Sequence, residues 1–100
     1  MANIPKSMVG KRGDMLRHFR RRFSERFGFD LRTDEIEKLL VDARTQETYM
    51  ASQSNDRTLR KLKVRDVEFC VIYSKKYKMF NTCFPVDWVR DDEFFVKCLE

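Results

Sequence analysis

One hundred residues, 42% hydrophobic and 37% charged, suffice for one compact domain and are too few for two, which excludes a multi-domain enzyme. Three glycines and two prolines argue against a linker or a collagen-like repeat. No apolar run approaches the roughly 18 residues a membrane span needs, and the basic N-terminal stretch lacks the hydrophobic block of a secretory signal. A cytoplasmic protein without a membrane partner is expected.

Net charge is +5, and its distribution says more than its sum. Residues 1–32 carry nine Lys/Arg against three Asp/Glu, 33–56 two against six, 57–79 eight against two, and 80–100 two against five. Two basic segments separated by an acidic one can merge in a fold into a single positive face that attracts phosphates, or remain two unrelated solvated faces. The cysteines, Cys70, Cys83 and Cys98, are widely spaced and the chain has one histidine, so no metal site and no cofactor are expected. All three read as reduced thiols in or near the core.

In chain order, Met1–Arg12 shows no periodicity and reads as a flexible basic arm (1–12) before a single domain (13–100). Asp14 is placed to cap a helix over Met15–Phe27, in which Leu16, Phe19, Phe23 and Phe27 form one apolar stripe and Gly28 supplies a left-handed terminus. Thr33 as N-cap opens a second helix burying Ile36, Leu39, Leu40 and Ala43, with Asp34 and Glu35 in its first turn. The short 29–32 connection makes the pair a helical hairpin. The period then changes to two, predicting strands over Thr45–Met50, Thr58–Val64, Val67–Ser74 and Lys78–Phe84, with Arg65–Asp66 as a turn and Pro85 as a stop. Val67–Ser74 is apolar on both faces and belongs at the sheet centre. Trp88, Phe94, Phe95, Cys98 and Leu99 suit a short C-terminal helix packing across one end. The fold class is α+β: an N-terminal helical hairpin packed on a four-stranded antiparallel sheet, with a short C-terminal helix.

On the first helix His18, Arg22, Glu25 and Arg26 fall on one side, opposite the apolar stripe, flanked by Arg17, Arg20 and Arg21. A histidine among arginines is held neutral and can accept a proton, while fixed cations beside it suit a phosphate that gains charge in a transition state. Metal-independent RNA cleavage needs these groups, although a solvated basic helix with one incidental histidine has the same composition. Arg57, Arg60, Lys61, Lys63 and Arg65, with Lys75, Lys76 and Lys78 around a later turn, form the other basic block. Tyr73 and Tyr77 interleave with it as rings on which bases can stack. Lysines on a strand edge also serve simply to prevent aggregation.

The segments His18-x-x-x-Arg22-x-x-Glu25-Arg26-Phe27-Gly28, Thr33-Asp34-Glu35-Ile36, Ser54-Asn55-Asp56-Arg57, Val71-Ile72-Tyr73 and Thr82-Cys83-Phe84-Pro85 together resemble small phage and bacterial proteins of the RelE and ParE toxin-like superfamily. The resemblance spans about two-thirds of the chain. It implies an α+β domain that, in many relatives, cleaves RNA without a metal. By position, His18 and Arg22 would be the helix-borne pair, Arg26 a phosphate clamp, Arg57 a second cation, and Tyr73 or Thr82 a strand-borne hydroxyl. The surplus of phenylalanine on the first helix and the Trp88–Glu100 segment depart from the pattern and leave room for a partner-binding role. The leading expectation is a small RNA-binding protein, phage-encoded and active in the bacterial host cytoplasm as a toxin-type endoribonuclease. Catalysis would use His18, Arg22, Glu25, Tyr73 and Thr82. Arg21, Arg26, Arg57, Arg60, Lys61, Lys63, Lys75, Lys76, Lys78 and Tyr77 would bind the nucleic acid. The alternatives are a non-catalytic protein that engages a host enzyme or an antitoxin, and a DNA-binding accessory protein.

Overall fold

Helix α1 runs from Lys6 to Phe27, so it begins well before its apolar stripe. The computed structural model describes residues 6–52 and 54–89 of the chain. Residues 6–12, expected in a flexible arm, are thus helical, and Asp14 pairs with Arg17 inside the helix instead of capping it. The unexpected length has a simple cause: Gly10 and Gly13 have low helix propensity and obscured a period that tertiary contacts sustain. At the other end Gly28 adopts φ 82°, and its N–H donates to the Ser24 carbonyl at 2.9 Å. A side chain there would meet the following carbonyl, hence glycine.

Helix α2 spans Thr33–Asp42, and its N-cap is Arg32, one residue earlier than expected. The Arg32 N–H, which no helix carbonyl can reach, is taken by the Glu35 carboxylate at 2.9 Å. Residues 45–48 do not begin a strand: Gln46–Thr48 form a 3-10 turn, in which the Thr45 and Thr48 hydroxyls donate back to the Asp42 carbonyl at 2.8 and 2.9 Å. These side-chain bonds compete with the ladder, and pairing starts only at Tyr49.

Strands β1 (Tyr49–Ser52), β2 (Arg57–Val64), β3 (Val67–Ser74) and β4 (Met79–Pro85) form an antiparallel sheet in the order β1-β2-β3-β4. β3 has its expected bounds and an interior position. β4 starts one residue late because Lys78, at φ 51°, still belongs to the turn. Pro85 is its last paired residue, opposite Phe69, instead of lying beyond it. A 3-10 turn, Val86–Val89, follows; the expected C-terminal helix otherwise lies outside the described residues.

Both helices pack on one face of the sheet, here called the front, α1 along β4 and α2 over β2. Phe19 and Phe23 are fully buried there with Leu39, Leu62, Phe69, Val71, Phe80 and Cys83. The Phe23 ring lies 4.6 to 6.1 Å from those of Phe19, Phe27, Phe29 and Phe69, within the range where aromatic pairs gain beyond area burial. Leu59, Cys70, Ile72 and Phe84 form a second cluster. It lies on the back face, because strand side chains alternate in direction. Cys70 and Cys83 are buried free thiols, while Cys98 is outside the described residues.

Candidate nucleic-acid interface

The stripe that buries Phe19 and Phe23 leaves Arg21 and Glu25 exposed and His18 and Arg22 half-buried on the other side of α1, whereas Arg26, expected there, lies beside the stripe and faces the sheet. Glu25 sits between two arginines, 3.4 Å from Arg22 Nη1 and 3.9 Å from Arg21 Nε. Arg21 Nη2 lies 3.3 Å from His18 Nδ1. A guanidinium has donors only, so Nδ1 is the acceptor and the neutral ring carries its proton on Nε2. Partial burial lowers the His18 pKa from its ordinary value, and the charges of Arg22, Arg21 and Arg26 lower it further against a smaller opposing effect of Glu25. The neutral imidazole is therefore favoured, with its basic nitrogen occupied by Arg21.

Arg26 is committed to the fold. Its Nη1 donates to the Cys83 carbonyl and its guanidinium lies 4.8 Å over the Trp88 ring, tying α1 to β4. Cys83 beneath it is inert, its thiol pushed up to about 12 by burial.

At the other end of α1, Arg12 Nε donates to the Tyr77 carbonyl at 3.1 Å. This contact joins the helix to the β3–β4 turn, which exposes Lys75, Lys76 and Lys78. Asp56 shapes that turn. Its carboxylate accepts the Lys76 N–H at 2.6 Å and the Ser74 hydroxyl at 2.9 Å, and its carbonyl accepts the Lys75 N–H at 2.9 Å. Exposed Arg57 follows directly. Lys76 Nζ lies 5.3 Å over the ring of half-buried Tyr77, which packs against the front core. The lysine-bearing turn thus lies against the N-terminal part of α1, with Arg21 and Arg22 about 14 Å further along the same helix.

Other residues expected at the site are elsewhere. Tyr73 is buried on the front face with its ring 6.0 Å from Phe80, inside the core, not beside His18. Thr82 pairs with Ile72 and so projects from the back face, across the sheet from α1. Arg60 spends its guanidinium on the Thr45 carbonyl at 2.8 Å and on the Tyr49 ring. Lys61 and Lys63 pair with Glu68 and Asp66 at 3.1 and 3.7 Å. Both lysines line an open depression of about 630 Å³ between the end of α2 and the β2–β3 hairpin. The sequence did not single out Asp56 and Arg12 as organisers. The Ser-Asn-Asp run before β2 carries turn chemistry that points to the first, and the second lies one helical turn before Met15 and Leu16.

Among the described residues no group of three or more His, Cys, Asp or Glu side chains converges to hold a metal ion, and no helix is long and apolar enough to cross a membrane. No protein-family model, curated protein or solved structure matches the chain.

Proposed function

We propose that the protein binds single-stranded RNA, with the phosphate backbone running along the outward side of α1 and onto the β3–β4 turn. The observation that supports this reading is the Arg12–Tyr77 contact, which sets the turn bearing Lys75, Lys76 and Lys78 against the N-terminal part of the helix that carries Arg21 and Arg22. Phosphate contacts of this kind supply affinity without sequence preference, and Tyr77 at the margin offers a ring for an unpaired base.

Cleavage of the bound strand, in the manner of the RelE and ParE toxin-like proteins the sequence resembles, is the finer form of the proposal. His18 is the proton-transfer group, and it accepts a 2′-hydroxyl proton at Nδ1 once a phosphate draws Arg21 away. The departing oxygen needs a proton donor, for which a lysine ammonium of the turn is the candidate; Tyr73 in the core and Thr82 on the back face are not. Incubation of total RNA with the protein in EDTA tests this: products ending in a 2′,3′-cyclic phosphate support it. Salt-dependent binding with intact RNA would leave a binding protein alone. Absence of binding at low salt would remove both forms and favour a role in engaging a protein partner.

A further inference from the structure

Strand β2 is longer than the strand on its outer side. β3 pairs with all of Arg57–Val64, whereas β1 pairs only with Thr58, Leu59 and Arg60. The 3-10 turn Gln46–Thr48 is the cause, since it keeps the preceding chain off the ladder. Beyond Arg60, no strand among the described residues flanks the outer edge of β2. Val64 and Val67 are partners across the two-residue β2–β3 turn, and such a flanking pair is the hydrogen-bonded one. The alternation of an antiparallel ladder therefore turns the Lys63 N–H and C=O outward, toward that edge.

The open depression of about 630 Å³ lies along this edge. Leu62 of the front core lines it together with Lys61, Lys63 and Glu68 of the back face, and only the rim of a strand touches side chains of both faces. A smaller depression of about 270 Å³ shares Lys38, Lys63 and Arg65 with it and reaches Arg32, so the groove follows α2 from one end to the other. The ten residues of α2 extend about 15 Å, the length of about five extended residues. We propose that this groove takes an extended peptide as an added strand antiparallel to β2, with a lysine or arginine at the C-terminal end of the peptide against Glu47.

The direction follows from the sheet, in which every pairing is antiparallel. A strand so oriented begins beside Arg65 and ends beside the 3-10 turn, which Arg60 holds through the Thr45 carbonyl. The cation follows from the lining. Lys38 pairs with Asp42, Lys61 with Glu68 and Lys63 with Asp66, at 3.6, 3.1 and 3.7 Å. Glu47 is left as the one lining carboxylate that no ion pair or hydrogen bond engages among the described residues. A second copy fits worse, because joining two β2 edges sets Lys61 and Lys63 against the same lysines, and like charges directly opposite destabilise a ladder.

The test titrates the full-length protein with a capped pentapeptide of alternating valine and threonine that ends in lysine, and follows amide exchange. Saturation is expected to slow exchange at Lys63 about tenfold or more, as a ladder hydrogen bond does. Glu47→Lys should weaken binding by roughly threefold or more, the scale of one exposed charge pair, and a peptide ending in glutamate should recover it, which a misfolded variant could not show. Unchanged exchange at Lys63 would overturn the proposal. So would protection of the β1 amides alone, equal binding of a peptide with its lysine first, or protection in the free protein that falls on dilution, the signature of a second copy.

Discussion

Glu35 in the first turn of α2 receives two hydrogen bonds from Arg65 at the β2–β3 turn, 2.7 Å from Nη2 and 2.8 Å from Nε. The same guanidinium lies 4.8 Å over the Phe29 ring. Arg65 and Asp66 adopt φ values of 48° and 64°, a mirror-image hairpin turn that normally takes Asn-Gly. A left-handed arginine costs about 1–2 kcal/mol, and the ion pair holds it there.

Acid sensitivity follows from that pair. The Arg65 hydrogen bonds, with the Arg32 N–H, hold the Glu35 carboxyl down at about 2. A depressed carboxylate contributes stability that is complete above its unfolded value near 4.5 and is lost as the pH falls toward 2. The melting temperature of the wild type should therefore decline over that window more steeply than that of Glu35→Gln. Parallel curves for the two proteins would refute the assignment.

Phe23 is fully buried among four other rings. Truncation to alanine should cost about 3–5 kcal/mol, measured by denaturant titration. An unchanged midpoint would refute the packing of α1 on the sheet.

RNA affinity should fall steeply with salt through counterion release. Arg21→Gln with Arg22→Gln should reduce the slope of log K against log salt by ~1.4, about 0.7 for each phosphate no longer neutralised. Arg60→Gln, whose guanidinium serves the fold, should leave the slope unchanged. Equal effects from the two variants would contradict the assignment of the interface to α1.

His18 supplies the pH dependence. Its lowered pKa favours the neutral ring, and protonation in more acidic solution adds one cation to the α1 surface. The salt slope should steepen as the pH falls below the ordinary histidine range, by up to ~0.7 in the wild type and by nothing in His18→Ala. If the strand is cleaved, His18→Ala should also slow cleavage roughly 100-fold or more while affinity at pH 7.5 stays near wild type.

Periodicity alone determined the α+β class, the two helices and four strands, and the side of α1 that carries His18 and the arginines, because burial of an apolar stripe dictates which residues turn outward. Gly28 as a helix terminus and the bounds of β3 were equally legible, since both are set by local conformation or by an unbroken apolar run. The start of α1 was not, because its first turns gain stability from contacts distant in sequence, such as Arg12 with Tyr77. Nor could residue types show that Tyr73 is core and Thr82 faces away. In a strand one register position decides the face, and that register is fixed by pairing with neighbours and by the irregularity between Ile72 and Tyr73. The same holds for charge. Composition counted the cations of β2 and of the β3–β4 turn together, and only the tertiary structure separated them. It paired Lys61 and Lys63 with carboxylates at one end of the sheet and brought Lys75, Lys76 and Lys78 to the N-terminal end of α1 at the other.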